Sequence, residues 1–171
     1  LEDIEGIKNI LNLAVECKAE RIFYSSSSEV YGEPVEIPQN EITTPLNSKV
    51  PYAIVKSVGE SFMRTFHDHY QLDFTIMRFF NTYGPRQKND FVISKFIELA
   101  LQNKDITIYG DGSQTRSFLH VDDNIEFTIK ILKNKKLLND VVNVGSDIEI
   151  KIIDLANMII ENLLSKSKII F

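Results

Sequence analysis

Apolar positions along the chain follow two alternating rhythms. At the start, Ile4, Ile7, Ile10, Leu11, Ala14 and Val15 recur at helical spacing, which predicts an amphipathic helix. Apolar strand-like runs follow at 21–25, 74–80 and 141–144, separated by helical stretches at about 53–70 and 91–102. Strands interleaved with helices predict an α/β fold, with crossover units and a parallel sheet covered on both faces. One stretch departs from the rhythm: Ile106 to Tyr109, the turn GlyAspGlySer, and Ser117 to Val121 predict short strands outside the main sheet. A helix from about Asp122 to Leu132 follows, then the helical pattern IIDLANMIIENLL. The chain opens inside a helical pattern without an initiating Met, and its last residues, SKSKIIF, stop in what reads as a new strand. Both ends are therefore expected to continue in a longer protein. There is no internal repeat, low-complexity tract or flexible linker, so a second lobe has to be built from insertions.

Candidate chemistry begins with Tyr52 and Lys56. Four residues apart in a helical stretch, they lie on one face, one turn apart. A tyrosine with a pKa near ~10 is a poor base at neutral pH, but a neighbouring ammonium favours the phenolate. A YxxxK pair arises often enough by chance to mean little alone. The serine run in RIFYSSSSEVYG adds a second signal: a buried parallel strand whose carboxyl end opens into a polar loop, where ligands bind in open α/β sheets. A hydroxyl there can hydrogen-bond a reacting oxygen beside Tyr52. The simpler reading is that Ser25 to Ser28 only end the strand and cap a turn.

Composition narrows the function classes. The 171 residues suit one domain of moderate size, and 43% hydrophobic content supports a real core. The net charge of −5 and the absence of a basic cluster argue against nucleic acid as a partner; LysAsnLysLys at 133–136 is short and followed by apolar residues. No apolar run reaches the length of a membrane span, and the opening residues lack the features of a signal peptide. The lone Cys17 excludes a disulfide framework and fits a reducing, cytoplasmic setting; its expected role is that of a small buried hydrophobe. His67 and His69 are two apart on a helix and point to different faces, so no metal site is expected there. His120 reads as hydrogen-bonded structure, Asp122 and Asp123 as the acidic start of a helix, and Phe62, Met63 and Phe66 as core.

SSSSEVYG, PYAIVK, RFFNTYGPRQ and DGSQTRSFLHVDD, in this order and spacing, resemble the extended short-chain dehydrogenase/reductases that modify nucleotide sugars: the epimerases, 4,6-dehydratases and nucleotide-glucuronate decarboxylases. The resemblance covers essentially the whole chain. It implies a partial Rossmann-type doubly wound parallel sheet with a small C-terminal substrate-binding lobe. Residues 1–90 would be the C-terminal part of an NAD-binding domain carrying the catalytic groups. Residues 91–171 would be mainly the substrate lobe, with 141–145 returning to the main sheet.

Carried over by resemblance, Tyr52 is the general base that takes the proton of the sugar 4-hydroxyl while NAD removes the hydride, leaving a transient 4-keto sugar. Lys56 lowers the phenol pKa and holds the nicotinamide ribose, Ser25 lies on the cofactor side, and Ser27 is the helper hydroxyl. Asn81 and Arg86 fall on the substrate side. Arg116 resembles the arginine that pairs with the diphosphate, a role suited to its planar fork. A homodimer through the Tyr52 helix and its neighbour is implied in the same way.

Two departures from the family pattern stand out. The glycine-rich turn that lays pyrophosphate on a helix N-terminus is absent from this chain, as is the acidic residue that reads the adenosine ribose. Asp3 also stands where the family usually has asparagine three residues before a glycine, here Gly6. After the helper hydroxyl come Ser28 and Glu29, where the dehydratases carry Asp then Glu. Dehydration needs an acid for the departing oxygen, so it falls behind. Decarboxylation, with Glu29 near the carboxylate and Arg116 as proton donor, and 4-epimerisation both stay open. The competing class is a non-catalytic fragment or nucleotide-sugar sensor. The missing cofactor cradle speaks for it, and the presence of Ser27, Tyr52 and Lys56 together speaks against it.

Overall fold

The computed structural model describes residues 2–171. In chain order its elements are α1 (Glu2–Glu16), β1 (Arg21–Ser27), a 3-10 turn (Ser28–Tyr31), α2 (Pro51–Tyr70), β2 (Asp73–Phe79), β3 (Thr82–Tyr83) and α3 (Val92–Leu101). Then come β4 (Ile106–Thr107), β5 (Thr115–Ser117), β6 (Leu119–His120), α4 (Val121–Lys133), β7 (Asp140–Val144), β8 (Glu149–Lys151), α5 (Ile152–Asn162) and β9 (Ile169–Ile170).

Two units are present: Leu1–Phe80 with Ile125–Val144, and Asn81–Asn124 with Gly145–Phe171. The first division thus falls ten residues before the expected position 90, and the segment returning to the first unit begins inside α4 rather than at 141.

The first unit is built on a parallel sheet in the order β1-β2-β7. The central strand β2 is buried from Phe74 to Arg78, which is why its sequence reads as a continuous run rather than an alternation. Strand register stacks three rows on one face: Ile22 with Phe74, then Tyr24 with Ile76 and Val141, then Ser26 with Arg78 and Asn143. The first two rows pack with Leu11 and Ala14 of α1 and Met63 and Phe66 of α2 into one hydrophobic cluster. Burial of such side chains contributes roughly 1.5–3 kcal/mol each. The third row, at the carboxyl ends of the strands, is polar. Pro51 starts α2 at a position where its missing N–H costs nothing. The helix ends at Gln71 in the left-handed conformation, whose N–H donates to the His67 carbonyl.

The second unit has its own cluster, formed by Phe96 and Ala100 of α3, Ile106 and Ile108, and Ile152, Leu155, Ala156 and Ile159 of α5. Its strands pair two by two: β3 with β6, β4 with β9, and β5 with β8. The GlyAspGlySer turn needs its glycines, since Gly110 and Gly112 have φ of +76° and +74°. Between them, Asp111 accepts hydrogen bonds from the backbone N–H and hydroxyl of Ser113, which hold its carboxyl below the usual carboxylate range.

The structure corrects several expectations. The strand expected at 117–121 is divided: Thr115–Ser117 runs antiparallel to β8, Leu119–His120 runs parallel to β3, and Val121 already begins α4. Two-residue strands such as β3 have no periodicity to read and exist because a partner lies alongside. Cys17 is exposed, not buried. It follows the last residue of α1 just before Lys18 turns to positive φ, where the apolar stripe of the helix has ended.

Candidate functional site

At the carboxyl end of β1, Ser25 is exposed while Ser26 and Ser27 are buried. The Ser27 Oγ accepts the backbone N–H of Glu29 at 3.2 Å and so caps the 3-10 turn. The capping reading of the serine run thus holds at Ser27, and because capping uses the hydroxyl as acceptor, its proton remains available for donation. Glu29 stands exposed in the first turn of that short helix.

Tyr52 is the second residue of α2 and is 54% exposed. One turn on, the Lys56 Nζ donates to the Ser25 carbonyl at 2.8 Å. The same ammonium lies 5.6 Å from the Tyr52 ring centre and 5.5 Å from that of Tyr24, within cation–π range of both. Ser25, Tyr52 and Lys56 are therefore brought together.

The other predicted residues belong to the second unit. Asn81 is exposed, and its Nδ2 donates to the Ser117 carbonyl at 3.0 Å. Arg86 is exposed with a φ of +70°. Arg116 is exposed on β5, and its guanidinium donates to the neighbouring Thr115 carbonyl at 2.8 Å. A cleft of about 120 Å³ opens beside Asn81, lined also by Thr82, Tyr83, Gln87, Phe91, Val92, Ile93 and Phe118.

The histidines take structural partners. His67 faces Asp73 at 3.5 Å and the edge of Phe74, and His69 Nδ1 lies 2.9 Å from the Thr65 carbonyl. The His120 Nδ1 accepts the Asp122 N–H at 3.3 Å. No group of three metal-ligating side chains occurs among the described residues. No helix there is long and apolar enough to cross a membrane.

Two features escaped the sequence reading. The first is Tyr24, which is 9% exposed, with no hydrogen-bond partner for its hydroxyl among the described residues. Burial, then the negative charge of Glu60, then Tyr52 and Asp3, push its phenol up to about 12. Gly59 makes room for it, since a Cβ there would stand 2.1 Å from the hydroxyl oxygen. A glycine in the Tyr52–Lys56–Met63 stripe of a helix was the available signal of such a close approach.

The second is the buried pair Glu60 and Arg78, 1% and 2% exposed. Arg78 Nε and Nη2 donate to the two carboxylate oxygens at 2.9 and 2.7 Å, and Arg78 Nη1 donates to the Tyr31 hydroxyl at 2.8 Å. Burial works against the guanidinium charge, but the hydrogen bonds to Glu60 and Tyr31 outweigh it and hold the group above its ordinary value. An arginine inside the apolar run DFTIMRFF was the signal for a paired buried charge.

Tyr24 has a measurable consequence. The folded phenol holds its proton more tightly than the unfolded one, so its contribution to stability is complete below pH ~10 and is lost as pH rises through about 12. The shift corresponds to roughly 2–3 kcal/mol. Urea unfolding of wild type is expected to weaken across that window, whereas Tyr24→Phe loses that much less. Parallel curves for the two proteins between pH 10 and 12 would refute the assignment.

The sequence model described as NAD dependent epimerase/dehydratase family matches residues 1–145. The chain belongs to that family. Among the curated relatives of this epimerase/dehydratase chain, the UDP-N-acetyl-alpha-D-glucosaminuronate decarboxylase of Bacillus cytotoxicus is 37% identical over 98% of this chain and 54% of its own. The human dTDP-D-glucose 4,6-dehydratase is 33% identical over 93% of this chain and 45% of its own. The crystal structure of UDP-glucuronic acid 4-epimerase from Bacillus cereus in complex with NAD superimposes with a TM-score of 0.92 at 29% identity, covering 99% of this chain and 54% of that one. The chain thus spans about half the length of the curated relatives it matches, and its α/β architecture is that of a partial Rossmann-type sheet.

Proposed function

We propose that the protein carrying this chain modifies a nucleotide sugar through a 4-keto intermediate with NAD as cofactor, by 4-epimerisation of a UDP-sugar or decarboxylation of UDP-glucuronate. The observation that carries the reading is the placement of the Lys56 ammonium on the Ser25 carbonyl, against the ring of an exposed Tyr52.

The donor set suits the nicotinamide ribose. Lys56 uses one of its three N–H donors on Ser25, and the other two remain for ribose hydroxyls. When bound, NAD would supply the hydride acceptor for the sugar C4 and the donor that restores the hydride. Tyr52 takes the proton of the 4-hydroxyl, with the Lys56 ammonium 5.6 Å from its ring centre. Ser27 donates its free proton to the same oxygen. Asn81, Arg86 and Arg116 hold the nucleotide sugar, with Arg116 on the diphosphate.

After oxidation, a 4-keto-glucuronate is a β-keto acid, whose own carbonyl accepts the electrons as carbon dioxide leaves. On this reading Glu29 is the candidate for the carboxylate, and Arg116 the candidate for returning a proton to C5. For epimerisation the ketone only has to rotate. Dehydration, as in the human relative, is the alternative. Ser28, standing where the dehydratases carry Asp, lacks the acid for the departing oxygen. Homodimerisation through α1 and α2, which expose Ile10, Leu13 and Ile54, belongs to the same reading. So does a cytoplasmic setting, which keeps the exposed Cys17 reduced.

The test is incubation of the full-length protein with NAD and, in turn, UDP-glucose, UDP-glucuronate and dTDP-glucose, with products resolved by chromatography and mass spectrometry. A product of unchanged mass and altered retention identifies epimerisation, and loss of carbon dioxide identifies decarboxylation. Loss of water selects the dehydratase alternative. No product from any of the three overturns the reading.

A further inference from the structure

The polar row at the carboxyl end of the sheet is organised around one carboxylate. Glu60 receives the Ser26 hydroxyl at 2.6 Å and both arms of Arg78, and the half-exposed Arg64 lies 3.7 Å away. From Arg78 the chain of bonds continues to the Tyr31 hydroxyl, which donates to Asn143 Oδ1 at 2.8 Å. Asn143 in turn donates to the Gln39 carbonyl through its side chain and to the Glu41 carboxylate through its backbone. Every polar end of this buried row meets a partner, as a low-dielectric site demands.

Its position matters more than its strength. Lys56 and Glu60 are one helical turn apart on α2, and they bond to consecutive residues of β1: Lys56 to the Ser25 carbonyl, Glu60 to the Ser26 hydroxyl. Two such bonds, one turn apart, set both the distance and the rotation of the helix against the strand end. The hydrophobic cluster further along α2 holds the helix on the sheet, and these two bonds fix its first turns against the strand end. The residue that follows on the strand is Ser27, and one turn before Lys56 on the helix is Tyr52. Tyr31, at the far end of the 3-10 turn that Ser27 caps, is held by the same network.

We infer that Glu60 is a positioning residue: through Ser26 and Arg78 it sets the geometry between the Ser27 hydroxyl on β1 and the Tyr52–Lys56 pair on α2. This rests on the function proposed above for those three side chains. Glu60 itself is buried away from substrate and acts through its neighbours.

Ser26→Ala is the discriminating variant, because it removes the strand-side bond and leaves the Glu60–Arg78 ion pair intact. Glu60→Gln is the stronger one, and its folding is checked first by circular dichroism. In the full-length enzyme, Ser26→Ala is expected to lower kcat by about 10- to 100-fold, as misplacement of reacting groups does. KM and the NAD dissociation constant are expected to stay within about twofold. Hydrogen exchange followed by mass spectrometry is expected to speed up in peptides covering 25–31 and 51–58 and to stay unchanged over the second unit. Unchanged kcat, or unchanged exchange in those peptides with only a lower melting temperature, overturns the inference and assigns the network to stability alone. If wild type converts no nucleotide sugar, the functional reading fails, and the exchange experiment by itself decides: faster local exchange supports the positioning role, unchanged exchange removes it.

Discussion

Tyr52→Phe in the full-length protein is expected to lower kcat by about 10²- to 10⁴-fold, the range that a positioned proton-transfer group supplies. Binding of NAD and nucleotide sugar should be retained. The reason lies in where the phenol sits. Tyr52 is in the first turn of α2 and half exposed, so its hydroxyl contributes nothing to the hydrophobic cluster beneath. The Lys56 ammonium is anchored on the Ser25 carbonyl and does not depend on the Tyr52 hydroxyl for its place. Removing the oxygen therefore deletes the proposed proton acceptor and little else. Steady-state turnover paired with calorimetric titration of NAD and substrate makes the measurement. Turnover that survives the substitution would show that the phenol is not the base. A protein that binds nucleotide sugar but converts none, before or after the change, would be a sensor rather than an enzyme.

The second large effect is on folding. Arg78→Met is expected to destabilise the protein by about 3–5 kcal/mol, the range for breaking a buried ion pair by removing one partner. Methionine is unbranched and keeps much of the apolar arginine stem, so lost volume is the smaller part of the effect. It comes from Glu60, which keeps the Ser26 hydroxyl but loses two short charge-assisted bonds while 1% exposed. Tyr31 loses its donor in the same step. Arg64, at 3.7 Å and half exposed, offsets part of this, which places the expected value toward the lower end of the range. Urea denaturation monitored by far-ultraviolet circular dichroism gives the number. The double variant Arg78→Met with Glu60→Leu should recover much of the loss, because an apolar pair leaves no uncompensated charge. A single variant as stable as wild type would mean that the pair is solvated in solution.

Both experiments involve groups that differ in how they were written into the chain. Tyr52 and Lys56 could be read directly, because four residues in a helix are one turn, and Pro51 marks where that helix begins. The strands β1, β2 and β7 were also readable, since buried parallel strands leave continuous apolar runs. Glu60 and Arg78 were not, although each left a trace: a carboxylate on the buried stripe of α2, and a guanidinium inside an apolar strand. The partners lie 18 residues apart, and Ser26 is 34 from Glu60. Tyr24 escaped for a related reason, since an apolar strand position gives no sign that its hydroxyl points at Gly59 of another element. The two-residue strands of the second unit, and the break of its boundary inside α4, have no local pattern at all.

By itself, the sequence determined the order of helices and strands, the parallel sheet, the shared face of Tyr52 and Lys56, and the polar loop that follows β1. Each of these follows from periodicity and spacing over a few consecutive residues, where backbone geometry alone places the side chains. Tertiary structure alone decided that Ser26, Arg78 and Asn143 stand side by side across three strands, with Glu60 above them and Tyr31 at their end. Strand register and the packing of α2 on the sheet set those contacts, and both depend on the whole core settling at once.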